Sequence, residues 1–193
     1  MDIAPNINLV YNNYRSNGWL GVGWYLDMGA IQRSTKKGLN YSADDYEDTT
    51  AGLTELVAYS GGYYGAKIER KLTKYYKTSN QGWEVTTRDG TRYYYGRTEN
   101  SRQEFESGTK VFKWCLDKVM DTNGNYMTIT YQKDQGEVYP DTISYTANDG
   151  ANLSAKHSVK FILEDRTDVY PSFITGYEVK TAKRLKCSSH HLC

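Results

Sequence analysis

A chain of 193 residues with 24 basic and 23 acidic side chains has almost no net charge and no long run of like charge, which excludes a nucleic-acid or anionic-membrane footprint. Nineteen tyrosines and 17 glycines against three prolines favour half-buried sheet faces, hairpins and bends over long helices. No stretch approaches the ~20 apolar residues of a membrane span, Met1 to Asn6 lack the basic start and apolar core of a secretory signal, and three cysteines, an odd count, argue against a disulfide framework.

Period-two alternation between turn signals recurs along the chain and predicts an all-β fold, in which antiparallel hairpins form a sandwich or a curved shell-like sheet with little helix. Residues 7–11 read as a first strand, and 21–26 with 30–33 as a bent pair around Asp27-Met28-Gly29. Residues 34–52, rich in Lys, Asp, Thr and Gly, read as an exposed connection. Residues 53–59 fit a strand or a short helix, because Leu53, Leu56 and Val57 also satisfy helical spacing. Gly61-Gly62 opens a strand predicted over 63–72, with Ala66, Ile68, Arg70 and Leu72 on one face and Tyr75 and Tyr76 extending it.

The clearest local unit is a hairpin: 83–87, then Arg88-Asp89-Gly90, then 91–96, where Asp-Gly supplies the positive φ angles of a tight turn. A polar loop over 97–110 precedes a second hairpin of the same design, 111–120 turning at Asn123-Gly124 into 125–132. Gly18, Gly21, Gly23, Gly90 and Gly124 are the predicted bends, and Trp19, Trp24, Trp114 and Leu116 the predicted core anchors. Later strands are predicted over 142–146, 158–164 and 173–181. One β-rich region covers 1–186, an irregular tail covers 187–193, and the pattern stops mid-sheet with an unpaired edge.

Several constellations have the atoms for chemistry, and each has a simpler structural reading. Asp44-Asp45-Tyr46-Glu47-Asp48 offers oxygen ligands for calcium but lacks the spaced pattern and terminal bidentate Glu of a calcium loop, so it reads as a solvated charged loop. Asp121, Asn123 and Asn125 alternate suggestively, yet turn chemistry at Asn123-Gly124 already accounts for them. Cys187, His190, His191 and Cys193 could trap zinc or copper if ordered, against a frayed tail. Glu84 or Glu104 with Asp117 could be nominated as a glycosidase pair. No nucleophile elbow, zinc-protease helix, phosphate loop or dinucleotide fingerprint is present, and His157 stands alone before the tail. Trp83 with Tyr93-Tyr94-Tyr95, and Tyr63-Tyr64 with Tyr75-Tyr76, are either sugar-stacking platforms or cross-strand pairs that hold a sheet together. The expected set of catalytic, cofactor and metal residues is therefore empty, and the protein is expected not to be an enzyme, with a carbohydrate-binding β-sandwich as the alternative.

Read in order, certain marks carry a family resemblance. They are Tyr11-Asn12, Asn17-Gly18, Gly21-Val22-Gly23-Trp24, Ile31-Gln32-Arg33, Trp114 to Leu116, Asp121 to Asn125 with Tyr131, Gly176-Tyr177, and Thr181-Ala182-Lys183-Arg184-Leu185. The chain resembles the N-terminal region shared by the SpvB virulence proteins and the B components of insecticidal Tc toxin complexes, relatives of the RHS/YD-repeat proteins. The resemblance implies a fragment of a longer protein, a β shell that houses or delivers a toxin cargo, and other segments or subunits of a toxin complex as partners. It also implies a secreted or extracellular destination and, since the family's enzymes lie in other domains, no catalytic residue here.

Overall fold

The computed structural model describes residues 3–50 and 52–192, with side chains described through Lys186. In chain order its strands are β1 (Leu9–Tyr11), β2 (Asn17–Gly18), β3 (Gly21–Val22), β4 (Trp24–Leu26), β5 (Ala30–Arg33), β6 (Tyr46–Asp48), β7 (Thr54–Ala58), β8 (Tyr63–Ala66), β9 (Lys74–Lys77), β10 (Trp83–Thr86), β11 (Arg92–Tyr95) and β12 (Arg102–Phe105). They continue with β13 (Lys110–Met120), β14 (Asn125–Asp134), β15 (Glu137–Asn148), β16 (His157–Asp165), β17 (Pro171–Ser172), β18 (Val179–Lys180) and β19 (Lys183–Leu192). Helix among the described residues amounts to two single 3-10 turns, Ser60–Gly62 and Glu99–Ser101. The all-β expectation holds.

The curvature goes as far as closure. Strands β5 to β11 pair each with the next, and β13 joins β11 to β5, so eight antiparallel strands make a barrel. Closure leaves no barrel edge exposed. At eight strands the interior is just wide enough for side chains to fill, and here it is filled by rings: Tyr46, Tyr64, Trp83 and Trp114 meet edge to face at centroid distances of 5.0 to 6.1 Å. Ile31, Leu56, Tyr75, Val85 and Tyr95 complete the packing. Each such aromatic pair adds about 0.5–1.5 kcal/mol beyond the area it buries.

Strand β13 does more than close the barrel. One of its edges takes β12 against Lys110–Trp114 and β11 against Leu116–Met120, and the other takes β5 against Lys113–Cys115 and β14 against Lys118–Met120. From β14 the sheet continues outward through β15 and β16 to β19. Period-two burial persists there: Ile129 and Tyr131 on β14, and Val159 and Phe161 on β16, face the core.

Both predicted hairpins form, with Trp83↔Tyr95 and Val119↔Met127 in register. Gly124 sits at φ +81° in the second turn, its amide donating to the Asp121 carbonyl at 3.2 Å, a conformation that L side chains rarely adopt. Residues 53–59 resolve to strand β7.

Other expectations are corrected. The supposed exposed connection 34–52 contains β6, whose Tyr46, Glu47 and Asp48 are all buried, because β5 and β7 pair on its two edges, Lys36 pairs with Glu47, and Thr50 and Tyr75 hydrogen-bond Asp48. The strand predicted over 63–72 stops at Ala66. Beyond it the Glu69 carboxylate accepts the amides of Lys71 at 2.8 Å and Leu72 at 2.6 Å, and Leu72 takes φ +50°, which leaves Ile68 and Leu72 exposed. Over 173–181 the chain makes a turn, Gly176 donating to the Phe173 carbonyl at 2.9 Å, and only Val179–Lys180 is strand. The irregular tail expected from 187 is strand up to Leu192, because the outer edge of β16 offers amides and carbonyls that β19 completes.

Of the predicted anchors, Trp114 and Leu116 are buried, Trp19 packs edge to face on Phe161 at 5.8 Å, and Trp24 is 45% exposed against Tyr11. Trp83, not among the predicted anchors, is fully buried. The two barrel tryptophans differ in one respect: the Trp114 indole N–H donates to the Gln81 carbonyl, whereas that of Trp83 has no partner. Trp114→Phe and Trp83→Phe remove similar volume, but only the first strips a carbonyl of its donor. Trp114→Phe should cost about 1 kcal/mol more in denaturant unfolding; equal losses would show that the indole bond contributes nothing.

Candidate functional site

The residues nominated for chemistry are dispersed, and Asp117 and Glu104 are engaged by neighbouring side chains. Asp117, on β13, accepts the Arg97 amide at 2.6 Å, Arg97 Nε at 2.7 Å and Ser101 Oγ at 2.9 Å. Those three bonds fasten the turn between β11 and β12, so this carboxylate is a structural pin. Glu104 is paired with Arg102 at 2.8 Å and Lys133 at 3.0 Å. Glu84 lies mid-strand on β10 opposite Tyr76 and Tyr94. His157 stands on β16 with its ring 5.5 Å from that of Tyr145. Among the described residues no three His, Cys, Asp or Glu side chains converge as a metal site. The side chains of Cys187, His190, His191 and Cys193 lie outside the described residues.

The Asp121 cluster is turn chemistry. Its carboxylate accepts the amides of Asn123 and Asn125 at 2.9 Å each and the Asn125 side-chain amide at 2.9 Å. The Asn125 side chain, ahead of the two backbone donors, holds the Asp121 carboxyl below the usual aspartate range.

The tyrosine clusters face inward for the most part. Tyr64, Tyr75, Tyr95 and Trp83 are buried in the barrel, which removes them from any sugar platform; Tyr63 and Tyr76 remain as a half-exposed cross-strand pair 4.9 Å apart.

Two polar clusters terminate the barrel. At one end Arg33, buried on β5, donates Nε to the Val111 carbonyl at 2.9 Å and Nη1 to the Ala43 and Asn40 carbonyls at 2.7 and 3.3 Å. Its guanidinium also lies 5.2 Å from the rings of Tyr41 and Tyr46, so it holds the 34–45 connection across the opening as a plug. Burial pushes both of those tyrosines up to about 12, which keeps their hydroxyls neutral at any physiological pH.

The other end is open. A cleft of about 630 Å³ is lined there by Asp48, Tyr75, Tyr93 and Tyr95 at its base and by Leu53 and Ile68 higher up. Asp48 Oδ2 accepts the Tyr75 hydroxyl at 2.8 Å and Oδ1 accepts the Thr50 amide at 2.8 Å. Burial, and then the Asp48 charge, raises the Tyr75 and Tyr95 hydroxyls well above their ordinary value. Sequence reasoning named Arg33 only within the Ile31-Gln32-Arg33 mark and Asp48 only within a solvated charged loop, so it anticipated neither end.

With this geometry in place, comparison with known proteins is decisive on descent. The family model for SpvB, described as Salmonella virulence plasmid 65kDa B protein, matches residues 1–75 and 63–164, well over half of the chain. The chain belongs to the SpvB family. Among solved structures, the N-terminal domain of effector protein SpvB from Salmonella typhimurium strain LT2 is 15% identical, with a TM-score of 0.85 over 98% of this chain and 83% of that one. The TcdB2-TccC3 crystal structure is 16% identical, with a TM-score of 0.82 over 98% of this chain. The Photorhabdus luminescens Tc holotoxin pore is 16% identical, with a TM-score of 0.83 over 97% of this chain. This chain spans only 12% of either Tc protein. At such identities the likeness is one of fold. No curated protein matches in sequence.

The SpvB-family marks quoted from the sequence fall where the fold bends or packs, and Asp121 to Asn125 gives a pH-dependent example. A depressed carboxyl contributes stability that is fully present above the unfolded aspartate pKa of about 3.9 and is lost as pH falls through the folded value. Asp121→Ala should therefore melt below the parent at neutral pH, and the gap should narrow as pH drops under about 4. A gap independent of pH would show that the carboxylate's charge plays no part.

Proposed function

We propose that this SpvB-family chain is a non-enzymatic structural segment of a toxin-complex or RHS-like protein, contributing a β wall that houses or delivers a toxic cargo. The observation that carries this reading is the double use of β13. A closed, ring-filled barrel is fused through one strand to an open sheet, and an open sheet offers edges and faces along which a wall can be continued. Its partners would be other segments or subunits of such a complex, and its destination secreted or extracellular. Supporting this, two of the three carboxylates nominated for hydrolysis, Asp117 and Glu104, are engaged by Arg97, Ser101, Arg102 and Lys133 as local fasteners. No helix among the described residues is long and apolar enough to cross a membrane.

The test is assembly. Co-expressed with the products of the reading frames next to its gene, the chain should co-purify at a defined mass and shield a fused reporter cargo from added protease. A monomer that associates with none of them, with the cargo digested as fast as when free, would overturn the reading.

A further inference from the structure

We propose that the open end of the barrel is a binding site for a primary alkylammonium, the chemistry of a lysine side chain or of a small free amine. Asp48 is 8% exposed and lines the cleft, yet no lysine or arginine lies within ion-pairing distance of its carboxylate among the described residues. Its two bonds come from neutral donors, the Thr50 amide and the Tyr75 hydroxyl. A carboxylate has about four lone-pair sites, so two stay available. Of the other carboxylates in the cleft wall, Glu55 is paired with Lys36 and Lys67, and Glu69 is exposed to solvent and accepts the amides of Lys71 and Leu72. One buried negative charge is thus left facing solvent-connected space, where a paired cation is favoured because burying an unpaired charge is costly.

The class of cation follows from the surroundings. The Tyr75 hydroxyl sits on Asp48, the Tyr95 hydroxyl feels its charge, and Tyr93, Val85, Leu53 and Ile68 line the same cleft. An ammonium has three donors, no acceptor and a methylene stem, which matches oxygens at the base and hydrocarbon along the sides. A guanidinium is a planar fork of five fixed donors, whereas a single carboxylate among hydroxyls suits the three rotatable donors of a compact ammonium. A calcium ion needs six to eight oxygens, roughly, with more charge than one carboxylate brings. Arg70 and Lys71 also line the cleft and have no acidic partner within 4.0 Å among the described residues, so the outward end of the ligand should be neutral or anionic. A monoamine should be preferred over a diamine.

The experiment is a titration of the full chain, followed by amide chemical shifts, with n-pentylamine, and with 1-pentanol as the neutral isostere. Saturable shifts at Asp48 and Thr50 with the amine only are expected, and Asp48→Asn should weaken binding about tenfold or more. Identical shifts with 1-pentanol, no saturable shift with the amine, or unchanged affinity in Asp48→Asn would overturn the proposal. If that variant fails to fold, the comparison of amine with alcohol on the unaltered chain decides alone. A parallel titration with Nα-acetyl-lysine N-methylamide separates the sources: binding as strong as that of pentylamine assigns the site to a polypeptide lysine, and binding of pentylamine alone assigns it to a free amine. Because the readout involves no assembly partner, its failure leaves the wall-building reading standing, and the reverse also holds.

Discussion

The fold depends on one strand having both of its edges occupied along most of its length. Over Lys110–Met120 the backbone of β13 is shared among β12, β11, β5 and β14, so the barrel cannot close and the outer sheet cannot begin unless this segment is extended and in register. Register within a half-buried strand is strongly specified, because a slip of one residue would exchange its faces. Here the slip would carry Trp114 out of the ring cluster and replace it with Lys113 or Cys115. The side chains along β13 resist that. Trp114 locks to Gln81 through its indole, Asp117 fastens the turn that lets β11 and β12 run along one edge, and the Tyr131 hydroxyl donates to the Leu116 carbonyl from the neighbouring strand. Gly96 sits against the Trp114 ring, with no room for a Cβ and a φ of +65°, so even the width of that turn is set by the tryptophan.

How much of this could be read from the chain depends on where the deciding interaction lies. Both hairpins were legible because alternation and an Asp-Gly or Asn-Gly corner act within a dozen residues. The SpvB-family marks were legible for a related reason, as they coincide with bends and with Trp114. The burial of Tyr46, Glu47 and Asp48 was not. Their charges resemble a solvated loop until Lys36 and Ser34 reach Glu47, and Tyr75 reaches Asp48 from 27 residues away. Likewise the strand expected to run to Leu72 fails because a single side chain, Glu69, captures two amides that a ladder would have used. Alternation is present in that stretch, and a local hydrogen-bonded loop outcompetes it.

Tryptophan shows the same limit. Trp24 lies among glycines that reverse the chain, at φ +77° for Gly23, and ends on an exposed two-strand ribbon beside Tyr11. Trp83 lies in a plain alternating strand and ends in the centre of the barrel. Glycine content marks where the backbone turns, and turning places a ring at the periphery as readily as in the core. What decides is the number of facing strands, and that is a property of closure, which no window of sequence contains.

Each end of the barrel holds one buried charged side chain, of opposite sign, Arg33 at one and Asp48 at the other, and this follows from filling the middle with rings. Tyr46, Tyr64, Trp83 and Trp114 leave no space for a polar chain between the ends, so Arg33 and Asp48, which project from paired strands only two registers apart, are kept from meeting as an ion pair. Arg33 finds carbonyls of the overlying connection and becomes a plug. Asp48 finds a hydroxyl and an amide, which satisfy geometry but do not cancel charge. A ring-packed interior therefore gives the module one sealed end and one electrostatically unfinished end, an asymmetry that a barrel filled with aliphatic residues and free of buried charge would lack.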